Sequence, residues 1–245
     1  MNQQSVVLVT GGARRVGAAI VRHLHAAGCS VAIHYHRSAA DAEALAAALN
    51  DVRADSAATF AGALEHDATP ATLIDAVLAR FGRLDGLVNN ASAFYPTPIG
   101  QTTPTHWDDL FASNARAPFF LAQAAAPALR EAGGAIVNIV DIYAERPLAG
   151  HTVYSMAKAA LVMLTQALAK DLAPDIRVNA VAPGAILWPA SGKVEDAVEA
   201  LLAKTPMARK GEPLDVADAV RWLLLDAPYT TGQVIRVDGG RALNI

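Results

Sequence analysis

Two hydrophobic periods alternate along this chain from its first ten residues to its last, which leaves it few folds to choose from. Val6-Val7-Leu8-Val9 is a short apolar run closed by Thr10-Gly11-Gly12, the pattern of a buried strand ending in a turn. Val16 to Ala27 then carries apolar residues at helical spacing, with Gly28 placed to end the helix. The cycle repeats as strand Ser30–His34, helix Asp41–Leu49, strand Ala57–Phe60, helix Ala71–Phe81 and strand Leu84–Asn89. It continues as a helix around Trp107–Leu129, strand Ala135–Val140, helix Thr152–Leu172 and strand Ile176–Ala182. Helices near Val194–Ala203 and Leu214–Leu225, then strand Val234–Val237, complete it. Strands apolar on both faces, each followed by a helix, predict a parallel α/β sheet covered on both sides. Connection rules favour a doubly wound sandwich with ligands at the carboxyl ends of its strands. No linker, charge block or repeat divides residues 1–245, so a single domain is expected.

Composition narrows the function classes. Twenty Lys and Arg against 23 Asp and Glu leave a net charge of −3, which removes the electrostatic argument for a nucleic-acid or anionic-membrane binder. No apolar run approaches the roughly 18 residues of a membrane span. Met1 to Ser5 leads straight into the first strand without the basic start of a signal peptide, so a cytoplasmic protein is expected. The single cysteine, Cys29, excludes an internal disulfide and a Cys-cluster metal site. His23, His25, His66, His106 and His151 lack metal-ligand spacing and read as surface or packing residues; no metal is expected.

Thr10-Gly11-Gly12-Ala13-Arg14-Arg15-Val16-Gly17 joins the first strand to the first helix. Glycines there admit a pyrophosphate close to the backbone, and the helix N-terminus supplies N–H donors and a positive end. The second strand runs out into His34-Tyr35-His36-Arg37-Ser38, with no carboxylate before Asp41. An acidic residue there would suit the ribose hydroxyl of NAD; Arg37 and Ser38, with Arg14 and His36, suit the 2′-phosphate of NADP instead. Tyr154 and Lys158, four apart, share one helical face, where an ammonium lowers the pKa of a phenol. Alone, that spacing is more often an amphipathic accident than a catalyst.

These segments together resemble the short-chain dehydrogenase/reductase family over essentially the whole chain. The resemblance rests on Thr10-Gly11 to Gly17, Asn89-Asn90-Ala91, Asn114, Tyr154 with Lys158, Pro183-Gly184 and Val237-Asp238-Gly239-Gly240. It implies a Rossmann-like fold, Tyr154 as acid/base, Lys158 as ribose ligand and modulator of Tyr154, and Asn114 as anchor of a relay water. It places Gly11, Asn90, Ala91, Pro183 and Gly184 against the cofactor, and suggests a homotetramer packed through the long helices.

The departures inform more than the matches. Arg15 replaces a usual glycine, and Asp141, thirteen residues before Tyr154, occupies the place of the usual catalytic serine. An ionised carboxylate repels a carbonyl oxygen but accepts from ring N–H and NH₂ groups of a nitrogen heterocycle. Both departures, with Asn89-Asn90-Ala91-Ser92-Ala93-Phe94-Tyr95-Pro96-Thr97-Pro98 and His34 to Ala40, resemble the pteridine reductase branch. That implies NADPH-dependent reduction of a dihydropteridine, with oxidised pteridines or dihydrofolate as further substrates. The pterin would stack against Phe94, and Arg15 and Ser92 would touch both cofactor and pterin. Asp141 and Tyr154 would deliver the proton.

Rival readings stay open at this point. Asp141 also suits a turn or helix cap, Phe94 a core position, and Trp188 is balanced between pocket wall and packing. Where relatives carry an acidic residue for adenine, this chain has Ala63, which leaves Leu64 or backbone to hold it. The rival function on the same fold is a carbonyl or 3-oxoacyl thioester reductase. From another class, the rival is a cofactor-binding regulator without catalysis, against which Asn114, Tyr154 and Lys158 argue.

Overall fold

The computed structural model describes residues 4–186, 199 and 201–244. Its seven strands are β1 (Val6–Val9), β2 (Ser30–Tyr35), β3 (Ala57–Ala61), β4 (Gly86–Asn89), β5 (Ala135–Ile139), β6 (Arg177–Pro183) and β7 (Val234–Val237). They form one all-parallel sheet in the order β3-β2-β1-β4-β5-β6-β7, in register from Val31 opposite Ala57 at one end to Pro183 opposite Val237 at the other. The order reverses between β1 and β4, which opens a crevice at the carboxyl ends of those strands.

The inner strands β1, β4 and β5 bury both faces, and side-chain alternation assigns the cores. Val7 and Val9 point towards α1 (Arg15–Ala26), α2 (Ala39–Val52) and α7 (Pro213–Arg221), packing with Ile20, Leu45 and Val220. Val6 and Leu8 face the other layer, α3 (Thr69–Phe81), α5 (Ala117–Ala132) and α6 (Thr152–Asp171), where they join Ile74, Leu121 and Leu129. Leu8 and Leu121 are essentially inaccessible, so truncating either to alanine removes roughly 2–5 kcal/mol. The 20-residue α6 is long and apolar enough to cross a membrane by length and composition, although the sequence promised no such run. Its apolar side lies instead against the strands, and Lys158 and Thr165 are buried on it.

The long helix expected around Trp107–Leu129 is interrupted. It divides into α4 (Pro104–Phe111), a π-helical turn (Ala112–Arg116) and α5. The cause is Asn114, whose side-chain Nδ2 donates to the Leu110 carbonyl at 2.9 Å and so competes for the acceptor of the regular ladder. A second π-helical turn, Trp222–Asp226, extends α7 over the last part of the helix expected to Leu225. The helix expected over 194–203 falls largely outside the described residues.

Candidate active site

The glycine turn is shaped by what surrounds it. Gly11 has φ +59°, and a side chain at Gly17 would meet the Gly11 carbonyl oxygen at 2.2 Å, so glycine is obligatory there. Thr10 Oγ1 accepts the N–H groups of Asn90 and Ala91 at 2.9 and 3.0 Å. Asn90 Nδ2 donates in return to the Thr10 and Gly11 carbonyls at 2.9 and 3.1 Å. The side chain of Asn90 thus ties the turn to the end of β4. Arg15 opens α1 at φ +53°, a left-handed conformation that costs a non-glycine residue about 1–2 kcal/mol. Its exposed side chain stands where glycine would offer none, and Val16 is half-buried behind it.

Gly11, Ala13 and Arg14 share a cavity of about 270 Å³ with Tyr35, His36, Arg37 and Ser38. Two guanidinium groups and an imidazole on one small cavity fit a phosphate monoester, and the turn beside it fits a pyrophosphate. Arg14 lies 3.7 Å from Asp41, and His36 3.9 Å from Glu65. Leu64 does not present its side chain to this cleft: it is 7% exposed and packs with Leu73 and Val77 in the core. Across the crevice Pro183 ends β6, and the Gly184 N–H donates to the Val237 carbonyl at 3.0 Å. A Cβ at Gly184 would strike Asp238 at 2.7 Å.

Beyond the cradle, β5 and the first turns of α6 bring Asp141, Tyr154 and Lys158 together. Tyr154 Oη donates to Asp141 Oδ2 at 2.8 Å, while Asp141 Oδ1 accepts the Tyr143 N–H at 2.9 Å. Asp141 is therefore both the cap of a short 3₁₀ turn and the partner of the tyrosine; the two readings of its sequence position are compatible. Burial pushes the Asp141 carboxyl above the usual carboxylate range, opposed by the Tyr143 N–H, the Tyr154 hydroxyl and Lys158. Lys158 is 3% exposed; burial lowers it to about 8, and its Nζ donates to the Ile139 carbonyl at 2.8 Å.

Any lowering of the Tyr154 pKa by Lys158 is outweighed in this arrangement. Burial and then the Asp141 charge push the phenol upward, while the ammonium stands 5.8 Å over the ring with its bond directed to backbone. Tyr154 is thus kept as a proton donor. Asn114 is fully buried in the π-turn, its Nδ2 also donating to Ala93 at 3.0 Å, and its Oδ1 has no hydrogen-bond partner.

Phe94 is 51% exposed at the mouth of the site and is not a core aromatic. Its ring meets Tyr154 edge-on at 4.7 Å and stacks on His151 at 4.9 Å and 11°. His151, read from sequence as surface or packing, therefore belongs to this aromatic wall; its place three residues before Tyr154 was the available signal. The segment is pinned on both sides. Tyr95 Oη donates to Asp109 at 2.7 Å, the Ala93 N–H donates to Ser113 at 3.2 Å, and the Thr97 N–H donates to the Gly150 carbonyl at 2.7 Å. Ser92 is exposed just before Phe94, and Trp188 lies outside the described residues.

A glycine cradle at the switch point of a parallel sheet, with a Tyr–Lys pair at its open end, defines a dinucleotide-dependent oxidoreductase. A family model described as enoyl-(acyl carrier protein) reductase matches residues 11–242. Pteridine reductase 1 of Leishmania tarentolae is 42% identical over 279 residues, covering 97% of this chain and 96% of that protein. The 3-oxoacyl-(acyl-carrier-protein) reductase FabG of Staphylococcus aureus is 36% identical over 244 residues, covering 98% of this chain and 99% of that one. The chain belongs to the short-chain dehydrogenase/reductase family.

Proposed function

We propose that the protein is an NADPH-dependent pteridine reductase that converts dihydropteridines, and with them oxidised pteridines or dihydrofolate, to tetrahydro forms. The observation that carries this reading is the Asp141–Tyr154 hydrogen bond of 2.8 Å, a carboxyl where carbonyl reductases of this fold place a hydroxyl. A carboxyl of raised pKa can share a proton with Tyr154 and accept from the amino and ring N–H groups of a pterin. The open face of Phe94 suits a planar heteroaromatic ring.

Bound reduced nicotinamide supplies the hydride. The chain's own part is to hold the ring over that cofactor, to keep Tyr154 protonated until nitrogen needs the proton, and to restore it through Asp141. Lys158 and Asn114 serve the ribose and the water route of proton return. Arg15 and Ser92 would reach both cofactor phosphate and substrate. Similarity to 3-oxoacyl reductases favours a second reading, reduction of a 3-oxoacyl thioester on the same scaffold.

Steady-state NADPH oxidation across dihydropterins, dihydrofolate, ketones and 3-oxoacyl thioesters separates the two. Preferred turnover of a pterin supports the first; turnover of thioesters alone replaces it with the second. No turnover with a tightly bound dinucleotide would leave a cofactor-binding regulator. For the cofactor, Arg37→Asp should raise the Kd of NADPH about tenfold or more and that of NADH far less. Equal losses remove the 2′-phosphate argument.

A further inference from the structure

His34 has no part in the chemistry above, yet it is 2% exposed at the carboxyl end of β2, beside the cradle. A buried imidazole persists where its ring nitrogens are satisfied. Here the Gly11 N–H donates to Nδ1 at 3.2 Å, and Nε2 lies 3.1 Å from the Gly62 carbonyl, which can only accept. Those partners select one tautomer, with the proton on Nε2 and Nδ1 bare. Burial, which pushes this ring down to about 4, keeps it neutral.

The placement gives the ring leverage. β2 lies between β1 and β3, so the two nitrogens reach from the turn that leaves β1 to the segment that leaves β3. Backbone bonds run beside them: the Gly12 N–H donates to the His34 carbonyl at 2.9 Å, and the Gly62 N–H to the Tyr35 carbonyl at 3.0 Å. Gly11, the residue held by Nδ1, lines the basic cavity with Arg14, His36 and Arg37.

We infer that His34, as its Nε2–H tautomer, is a positioning residue of the dinucleotide cleft. It sets the spacing of the β1 turn from the end of β3 by holding the Gly11 N–H on one ring nitrogen and the Gly62 carbonyl on the other. The inference rests on the dinucleotide reading of the cleft and is independent of the pterin assignment.

The test is direct binding of NADPH and of NADH to the full chain without substrate, read by quenching of protein fluorescence. His34→Leu removes both ring bonds and should raise both dissociation constants about tenfold; His34→Asn, which keeps an acceptor near the Nδ1 position, should recover to within about threefold of the unaltered protein. The NADPH-to-NADH preference should stay constant in both variants. A merely structural role would lower the melting temperature and leave both constants unchanged, which would overturn the inference. Should the leucine variant not fold, nitrogen NMR of the unaltered protein decides instead. An unprotonated Nδ1 whose resonance moves on NADPH binding supports the assignment; a protonated Nδ1, or one indifferent to NADPH, overturns it. Absence of dinucleotide binding by the unaltered chain overturns this inference with the cofactor reading beneath it, whereas turnover of pterin tests the substrate reading separately.

Discussion

At Asp141 one side chain answers two needs, capping the turn after β5 and accepting from Tyr154. Serine there could retain the cap and a hydrogen bond but could not share a proton with the phenol. Asp141→Ser should therefore lower kcat with a dihydropterin about 10²-fold or more while favouring a carbonyl substrate. Intact pterin turnover in that variant would remove the carboxyl from the chemistry. Lys158 yields a prediction of a different kind. Its folded pKa of about 8 lies below the ordinary value of 10.5, so between those limits the unfolded chain binds more protons. Stability then rises with pH through that window. Urea unfolding should show the protein gaining stability relative to Lys158→Met between about pH 8 and about pH 10. Parallel profiles for the two proteins would mean that Lys158 is not held down by the fold.

Among the elements, the segment after β4 and the interrupted helix facing it act together. Asn114 both produces the π-turn and donates to Ala93, and Tyr95 reaches Asp109 on α4, so Phe94 is presented from a stretch braced on α4 and on the start of α6. Burial, helped by Asp109, pushes the Tyr95 phenol up to about 12, so the clamp keeps its proton through neutral pH. Tyr95→Phe deletes the clamp with little change in volume. The expected result is a rise of about three- to tenfold in the KM for the pterin, with the Kd of NADPH unchanged. A parallel loss in both would assign Tyr95 to general stability.

For the whole molecule, the outward face of the long helices is the remaining question. A groove of about 860 Å³ lies there, its apolar floor of Phe111, Phe119 and Leu164 rimmed by the charged Asp108, Asp109 and Arg116, and Phe119, Phe120 and Met163 stay partly exposed. Apolar surface of this kind favours burial against another chain, in line with the proposal of a homotetramer packed through α5 and α6. Light scattering should give a mass near four chains for the protein and a smaller assembly for Phe119→Glu, because the added carboxylate would lose its hydration on burial beside the like charges of Asp108 and Asp109. An unaltered mass for the variant would move the interface elsewhere.

Local signals were enough for the parallel sheet, its helical layers and the pairing of Tyr154 with Lys158, because a period of two or of 3.6 residues and an i, i+4 spacing are properties of neighbours along the chain. The cradle was legible for the same reason: glycine and arginine follow one another directly between β1 and α1. Which way a polar group turns is settled by distant strands. Only the packed sheet could turn Asn90 back onto Thr10, seat Leu64 in the core, lay His151 on Phe94, and put burial rather than Lys158 in charge of the Tyr154 proton. Desolvation depends on every layer around a group, and no stretch of sequence contains that information.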